Sequence, residues 1–355
     1  MQSINANDYS IHFSKNSYTL LNEFIEENNY SSIFILVDSN TNEHCLPHFL
    51  PYLATTKTIE IIDIEAGEEQ KSIESCVEIW KILTELGGDR KSVLINLGGG
   101  VITDLGGFVA STFKRGIDFI NIPTSLLAMV DASVGGKNGV DLGNLKNQIG
   151  VINVPKMVLI DTEYLADLPQ NEMRSGLAEM LKHGLIYDIN YWEKFINLSS
   201  VDIDELDALI HRSVVIKNEI VSQDLTENGI RKSLNFGHTL GHAIESYFLE
   251  NESKTTLLHG EAIAVGMILE SYISFRKNLI SETELSLIKT TLLHYFDKVE
   301  FESNDLAPIL DLLIHDKKNE YGKVQFCLLK SIGKTIYNQE ADNELIIESF
   351  DFYNS

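Results

Sequence analysis

The stretch SVLINLGGGVITDLGGFVA, residues 92–110, joins a short β-branched run to three consecutive glycines and a second apolar run. The first run is typical of a buried parallel strand, and the second predicts a helix. Glycines at such a turn let the backbone approach a phosphate, and the helix start offers free N–H groups. Because the pattern departs from G-x-G-x-x-G, it predicts either a nucleotide-binding turn or only a tight strand-to-helix turn. Asp104 either accepts a hydrogen bond from a ribose or nicotinamide group or caps the helix.

The same strand-and-helix pattern extends on both sides of this turn. Short apolar runs bounded by turn residues occur at residues 32–37, 58–62, 92–97, 119–122 and 157–160. Between them, residues 72–86 carry apolar side chains at the three- and four-residue spacing of a helix. Alternating strands and helices predict a mostly parallel sheet with helices on both faces.

The second half of the chain has a different pattern. Long helical patterns cover residues 171–187, 201–222, 237–248 and 259–275. We therefore predict an α/β nucleotide-binding domain over residues 1–168 and an all-helical domain over residues 169–355. The helical domain is expected to bind metal and substrate, and the two domains are expected to pack around one cleft.

Composition restricts the classes of partner. The chain has 355 residues, 52 acidic against 28 basic side chains and a net charge of -24, which argues against nucleic acid and anionic membrane as partners. No apolar run reaches the roughly 18 residues of a membrane helix, and the start lacks a signal-peptide pattern. Cys45, Cys76 and Cys327 are too few for a disulfide framework and too far apart in sequence for a metal-binding pair. These features predict a cytoplasmic protein.

Cations among the glycines of residues 113–150 need a local explanation in so acidic a chain. Arg115, Lys137 and Lys146 lie there among glycine, hydroxyl and amide groups. Lysine serves as a point charge and arginine as a bidentate fork for phosphate or carboxylate. A solvated loop with scattered lysines is the alternative. We expect the segment to bind a polyoxygenated, anionic ligand.

Carboxylate and imidazole groups recur at helical spacing in the second half. Glu179 and Lys182 share one face of a predicted helix, while His238 and His242 are one turn apart on another. His259 begins the next helical pattern. One carboxylate and two imidazoles leave a divalent ion with open positions, as a catalytic zinc site requires. Core or capping histidines are the alternative for either segment alone.

Taken together, residues 98–150 and 231–267 resemble the 3-dehydroquinate synthase family, and the resemblance runs in order from about residue 38 to 322. It implies that Glu179, His238 and His259 bind one divalent metal ion, zinc or cobalt. His242 then supports the site or transfers protons. This replaces the simpler hypothesis that both His238 and His242 bind metal.

The resemblance also implies contacts to NAD and to substrate. For NAD it implies Asp38, Asn40, Gly67, Glu68, Glu69, Gln70, Lys71, Gly99, Gly100, Val101, Ile102, Thr103, Asp104, Thr124, Ser125, Lys137, Lys146, Tyr164, Leu165, Ala166 and Asp167. For substrate it implies Asp131, Lys137, Lys146, Asn147, Lys182, Lys217, Arg231 and Asn235. Arg115 is expected to reach the substrate phosphate, from the partner in a homodimer, and Lys317 or Lys318 to add one cation.

The sequence departs from the family pattern at a few positions. Thr103 stands where the family usually has glycine, Asn138 and Ser125 where threonine is common, and Leu145 where a glycine usually precedes the lysine. None of these changes removes a group that the chemistry needs. They affect the backbone at the glycine turn and around Lys146.

The implied substrate is the small sugar-acid phosphate 3-deoxy-D-arabino-heptulosonate 7-phosphate. In the implied reaction NAD oxidises a ring hydroxyl to a ketone, which acidifies the neighbouring C–H, and phosphate is then eliminated. The hydride returns to the substrate, and the opened ring closes by an aldol step to 3-dehydroquinate in the shikimate pathway. The metal is expected to polarise substrate oxygens, and the lysines to stabilise enolate and carboxylate charge.

Three alternatives stay open. The first is another sugar-phosphate cyclase such as 2-deoxy-scyllo-inosose synthase, which the run VDASVGGK at residues 130–137 disfavours. The second is a metal-dependent alcohol dehydrogenase of the same fold, which would accumulate NADH. The third is a catalytically inactive NAD- or metal-binding protein, which would release no phosphate.

Overall fold

The computed structural model describes residues 1–15, 17–143, 145–196, 203–313 and 324–355. Lys317 and Lys318 lie outside these ranges. The chain divides into two units, Met1–Pro169 and Gln170–Ser355. No helix among the described residues is both long and apolar enough to cross a bilayer.

The first unit is built on a parallel sheet. Its strands are β1 (Ile4–Asn5), β2 (Ser10–Phe13), β3 (Ser32–Asp38), β4 (Thr58–Ile64), β5 (Val93–Gly98), β6 (Asp118–Pro123), β7 (Lys137–Leu142), β8 (Leu145–Ile152) and β9 (Met157–Ile160). Seven of these described strands form one sheet in the order β1-β2-β9-β6-β5-β3-β4. Its neighbouring strands are parallel except β1 and β2. The predicted, mostly parallel sheet is therefore confirmed.

Helices of the first unit pack their apolar stripes on this sheet. They are α1 (Ser17–Asn28), α2 (Ser39–His44), α3 (Leu46–Phe49), α4 (Ile73–Glu85) and α5 (Gly100–Thr112). Ser72 begins α4 by accepting from Ser75 N, as an N-cap serine does. Ile79 of α4 and Leu105 of α5 are fully buried with Phe34 of β3 in one core cluster. Each such apolar side chain contributes about 1.5–3 kcal/mol by leaving water.

The sequence analysis did not foresee the antiparallel pairing of β7 with β8. These strands contain the lysine- and glycine-rich segment that we expected to bind an anion. Gly139 and Gly150 face each other there, since a Cβ on Gly139 would lie 2.6 Å from Ile149 O. Glycine permits this close approach of two backbones.

The second unit is mainly helical. Its helices are α6 (Gln170–Tyr187), α7 (Ile189–Ile196), α8 (Ile203–Gln223), α9 (His238–Glu250), α10 (His259–Arg276), α11 (Glu282–Tyr295), α12 (Ser303–Leu313) and α13 (Asn343–Asn354). The predicted helical second half is confirmed. It also contains an antiparallel pair, β10 (Phe326–Ser331) and β11 (Lys334–Gln339), which the all-helical prediction missed. The turn between these strands contains Gly333 at φ 84°, a conformation that favours glycine.

Three helices of the second unit approach one another at glycines. A Cβ on Gly266 of α10 would lie 2.0 Å from Gly237 O, beside the start of α9. A Cβ on Gly260 would lie 2.3 Å from Ser175 O of α6, and Gly260 N donates to Ser175 Oγ at 3.0 Å. Because the helices meet backbone to backbone, the side chains that begin α9 and α10 are brought close to α6.

Candidate active site

The glycine turn lies at the carboxyl edge of the parallel sheet. Gly98 ends β5, and Thr124 N, just after β6, donates to Gly98 O at 3.0 Å. Open α/β sheets bind their ligands at this edge. Gly99 is the N-cap of α5, so the alternative that Asp104 caps this helix is wrong.

The glycines of this turn differ in what surrounds them. A Cβ on Gly98 would lie 2.6 Å from Ile102 Cβ, and one on Gly107 would lie 2.0 Å from Asn138 Oδ1. These two glycines are needed for packing. At Gly100 the nearest atom is Ala132 Cβ at 3.6 Å, and at Gly99 it is Ser125 Oγ at 3.4 Å. Packing within the chain does not demand glycine at these two positions, which leaves ligand approach as a reason for them.

Thr103 supports the turn from inside the helix. Its hydroxyl donates to Gly99 O at 3.2 Å and to Gly100 O at 3.1 Å, and the residue is fully buried. The Thr103 hydroxyl therefore stabilises the backbone of the turn.

A charged cluster joins several predicted NAD and substrate residues within the first unit. Lys71 Nζ donates to Asp104 Oδ2 at 2.6 Å, and Lys146 Nζ donates to Glu68 Oε1 at 2.7 Å. Burial disfavours the charged form of Lys71, but Asp104, Glu68 and Asp141 outweigh this and raise its pKa. Burial raises the pKa of Asp104, and Lys71 partly offsets that effect. Lys71 thus stays cationic at neutral pH.

The remaining residues predicted to bind NAD have varied surroundings. Asp38 caps α2 by accepting from Thr41 N at 2.8 Å, and Tyr164 OH lies 3.0 Å from Tyr18 OH. Gln70 Oε1 accepts from Ser75 Oγ at 3.2 Å. The buried residues of this set are Ile102, Thr124, Ser125, Tyr164 and Leu165. The exposed residues are Asn40, Gly67, Glu68, Glu69, Lys137, Ala166 and Asp167, and Val101 is half-buried. Since the Ile102 side chain belongs to the core, any ligand contact there is through its backbone.

Three of the predicted substrate residues of the first unit lie in uncommon backbone conformations. Asn147 has φ 52° and Arg115 has φ 72°. Both values lie in the left-handed region, which residues other than glycine and asparagine seldom adopt. Asn147 N donates to Asp141 Oδ1 at 2.6 Å. Asp131 lies in a π-helical turn, Ala128–Ala132. Local strain and π-turns are more frequent at functional sites than elsewhere.

In the second unit, the imidazoles of two histidines approach the carboxylate of Glu179. Glu179 Oε1 lies 3.4 Å from His238 Nε2 and 3.7 Å from His259 Nε2, and Lys182 Nζ contacts Oε2. The Glu179 side chain is fully buried, and neither of its oxygens accepts a hydrogen bond of normal geometry within the described residues. Lys182 compensates the charge at Oε2, and Oε1, which faces the two imidazoles, is the oxygen that a divalent ion would satisfy.

Hydrogen bonds from the Nδ1 atoms of His238 and His259 fix the orientation of the two rings. His238 Nδ1 donates to Phe236 O at 3.1 Å, and His259 Nδ1 donates to Glu245 Oε2 at 3.1 Å. Because Nδ1 of each ring donates to these acceptors, Nε2 of each ring is directed toward Glu179, and a bound metal ion would displace any proton on it. Histidine ligands of metals are oriented by the same arrangement. The residues present therefore fit a divalent ion held by Glu179, His238 and His259.

His242 belongs to the same group of side chains. Its ring centroid lies 5.1 Å from that of His238 and 5.7 Å from that of His259. Ligand nitrogens of these three histidines lie within 4.8 Å of one another. The structure brings His242 to the predicted metal site, in keeping with either a ligand or a proton-transfer role.

Charges around Glu179 govern its protonation. Burial would raise the pKa of Glu179, but Lys182 and His238 outweigh it and hold the pKa well below its usual value. Burial opposes charge on His259, yet Glu245 and Glu179 raise the pKa of this imidazole to about 10. The site thus keeps an ionised carboxylate at neutral pH, as a metal ligand must be.

Most of the predicted substrate residues of this unit are buried polar groups, and Asn235 is half-buried. Lys182, Lys217 and Arg231 are each at most 5% exposed. Arg231 Nη1 donates to Leu225 O at 2.6 Å, and Asn235 Nδ2 donates to Glu227 Oε1 at 2.5 Å. Glu227 has φ 63°, and the sequence analysis did not single it out.

The sequence analysis also missed two carboxylates that shape the metal site. Glu245 orients His259, and Glu270 Oε2 accepts from Gly237 N at 2.7 Å. Helical spacing offered a signal for Glu245, since it follows His242 by three residues and His238 by seven, which places all three on one face of α9. No comparable pattern pointed to Glu270.

Comparisons with known proteins agree over nearly the whole chain. Residues 61–175 match the family model "3-dehydroquinate synthase N-terminal", and residues 176–319 match "3-dehydroquinate synthase C-terminal". A 3-dehydroquinate synthase of Parabacteroides distasonis is 42% identical over 338 residues, 94% of either chain.

Two solved structures are similar in fold. The first is 2-deoxy-scyllo-inosose synthase complexed with carbaglucose-6-phosphate, NAD+ and Co2+, with a TM-score of 0.85 and 25% identity, covering 98% of this chain and 99% of that one. The second is 2-epi-5-epi-valiolone synthase from Streptomyces hygroscopicus with NAD+ and Zn2+, with a TM-score of 0.83 and 24% identity over 99% and 98% of the two chains. The matched family models and the identity over most of the chain establish that the chain belongs to the 3-dehydroquinate synthase family.

Proposed function

We propose that the chain is a 3-dehydroquinate synthase, a carbon–oxygen lyase of the shikimate pathway that converts 3-deoxy-D-arabino-heptulosonate 7-phosphate to 3-dehydroquinate and phosphate. The observation that carries this proposal is the buried Glu179 carboxylate with His238 Nε2 and His259 Nε2 at 3.4 and 3.7 Å. In a chain of this family, such a donor set supports a catalytic metal centre.

NAD and one divalent ion, zinc or cobalt, are the proposed cofactors. Their support is the donor set around Glu179, the glycine turn, and the NAD+ with Co2+ or Zn2+ in the two similar cyclases. NAD supplies a hydride acceptor that is regenerated in each turnover. The ion supplies Lewis acidity toward substrate oxygens.

The chain's own residues have separate roles in this proposal. Glu179, His238 and His259 hold the ion, and Gly99 and Gly100 leave room for the phosphates of NAD. Lys182 is buried and the Lys146 side chain is 10% exposed, and these two cations neutralise substrate carboxylate and enolate charge, which counts for more away from water. His242 moves a proton at its ring nitrogen. Asp131, Lys137, Asn147, Lys217, Arg231 and Asn235 are the further proposed substrate contacts, with Arg115 from a dimer partner.

We assign NAD binding to residues 1–168 and metal and substrate binding to residues 169–355. The glycine turn in the first unit and the Glu179 cluster in the second support this division. A cytoplasmic homodimer completes the proposal. Its support is the family membership and the three cysteines, all of which are buried thiols.

The decisive experiment incubates metal-replete protein with NAD and the heptulosonate phosphate, and follows inorganic phosphate and 3-dehydroquinate together. We expect equal amounts of both products without net NADH. Net NADH with simple alcohols and no phosphate release would favour an alcohol dehydrogenase. Phosphate release only from glucose 6-phosphate would favour an inosose synthase, and no turnover of any substrate would indicate an inactive binding protein.

A further inference from the structure

Glu245 lies between the two helices that begin with histidine ligands. It belongs to α9, and its Oε2 lies 3.1 Å from Nδ1 of His259, the first residue of α10. The Glu245 side chain is 11% exposed and that of His259 is 25% exposed. The contact therefore links the two ligand-bearing helices through side chains that are largely shielded from water.

The two ligand histidines are held in different ways. His238 Nδ1 donates to a backbone carbonyl, Phe236 O, which neighbours it in sequence. His259 Nδ1 instead donates to a carboxylate from another helix. A carboxylate acceptor makes the opposite nitrogen a stronger electron donor than a carbonyl does, because it stabilises positive charge on the ring.

We propose that Glu245 is a positioning residue, whose carboxylate accepts the Nδ1–H of His259 and so presents Nε2 of that ring to the divalent ion. This inference rests on the proposed metal centre and deepens it. Glu245 would not ligate the ion itself. Its carboxylate contacts Nδ1 of His259, whereas the nitrogen that faces Glu179 is Nε2.

Zinc affinity measured without NAD or substrate tests this role separately from catalysis. The variants are Glu245→Ala, Glu245→Gln and, as a matched control, Glu250→Ala, an exposed glutamate at the end of the same helix. Metal-free proteins are titrated with Zn2+ against a chromophoric chelator, and the visible spectra of the Co2+-loaded proteins are recorded. Urea unfolding of the metal-free proteins shows whether each variant is folded.

We expect Glu245→Ala to raise the Kd for zinc by about 10- to 100-fold, the usual effect of removing such a partner. Glu245→Gln keeps an acceptor oxygen and should lose much less affinity, with a Co2+ spectrum close to that of the wild type. Glu250→Ala should change neither.

Unchanged zinc affinity in Glu245→Ala would overturn the inference. A glutamine variant as weak as the alanine variant, with an equally altered Co2+ spectrum, would overturn it in favour of direct ligation by Glu245. If Glu245→Ala does not fold, Glu245→Met, which keeps most of the side-chain volume but cannot accept the Nδ1–H of His259, takes its place and is judged by the same results. Failure of the wild-type protein to bind zinc would instead contradict the proposed metal centre.

Discussion

Glu179 carries a buried negative charge whose contacts have different energetic consequences. Lys182 against Oε2 compensates the charge inside the protein, whereas His238 and His259 direct their Nε2 atoms toward Oε1. Removing one partner of a buried ion pair leaves the other charge uncompensated. Stability and metal binding at this residue can therefore be separated by mutation.

We expect Glu179→Gln to abolish tight zinc binding and to lower the free energy of unfolding by about 3–5 kcal/mol, since Lys182 would stay buried beside a neutral amide. Adding Lys182→Met should restore most of the stability without restoring zinc binding. Urea unfolding and zinc content after dialysis measure the two effects. Wild-type zinc affinity in Glu179→Gln would contradict the ligand assignment.

Gly100 offers a test of the glycine turn. We expect Gly100→Ala to keep or slightly raise the melting temperature, because the added Cβ has room and alanine favours helix by up to about 1 kcal/mol. NAD affinity should fall by about tenfold or more, a loss of about 1.4 kcal/mol, if the methyl group meets the cofactor.

The control for Gly100→Ala is Gly107→Ala, whose Cβ would lie 2.0 Å from Asn138 Oδ1. The amide nitrogen of Asn138 donates to Gly136 O and Asn153 O, which holds this side chain in the path of the added methyl group. Gly107→Ala should therefore lower the melting temperature, unlike Gly100→Ala. Calorimetric titration with NAD and thermal unfolding distinguish the two variants. Unaltered NAD affinity in Gly100→Ala would exclude close contact at this glycine.

Sequence spacing predicted the contacts within one helix of the site but not the contacts between helices. The three-residue spacing of Glu179 and Lys182 places them on one helix face, and they are in contact. Local spacing says nothing about the approach of Glu179 to His259, which depends on how α6 and α10 cross at Gly260. That convergence was expected only because the sequence resembles a family.

At the scale of elements, predictability followed the strength of the local pattern. β9 and the start of α10 were predicted to the residue, since an isolated apolar run and a long helical stripe leave few alternatives. The β7 and β8 pair was missed because glycine, lysine and asparagine interrupt any alternation there. Its pairing depends on Gly139 and Gly150 meeting across the strands, a contact that single-strand periodicity does not encode.

Glu270 links two helices, because it belongs to α10 and its carboxylate caps the start of α9. Fully buried in α10, it accepts from Gly237 N at 2.7 Å, Thr239 N at 3.1 Å and Leu240 N at 3.2 Å, at the start of α9. A carboxylate at a helix N-terminus satisfies free N–H groups and is favoured by the helix dipole. It thereby holds the first turn of α9, where His238 lies.

We expect Glu270→Ala to lower the free energy of unfolding by about 3 kcal/mol or more, because three buried N–H groups lose their acceptor. Zinc affinity should fall with it, since His238 is the first residue of the released turn. Glu250→Ala, at the exposed end of α9, should cost less than about 0.5 kcal/mol. Urea unfolding with zinc titration checks this, and a loss no larger than that of Glu250→Ala would show that the cap is unimportant.

At the scale of the whole molecule, 52 acidic residues face only 28 basic ones, for a net charge of -24. Charge of one sign destabilises a compact state through self-repulsion. Lys71 and Lys146 in the first unit and Lys182 in the second each contact a carboxylate, so the charge of these three cations is compensated locally. The excess of acidic residues leaves a net negative charge that repels itself.

We expect the melting temperature of the metal- and NAD-free protein to rise between about 0.01 M and about 0.15 M salt, because the Debye length shortens from about 30 Å to about 8 Å. The repulsion acts between exposed charges and is screened, whereas buried pairs such as Lys182 with Glu179 are screened far less. Potassium chloride and choline chloride should give the same increase in calorimetric scans, since screening does not depend on cation identity. A melting temperature that falls with salt would mean that screened attractions outweigh self-repulsion, and a rise with potassium alone would point to a bound cation.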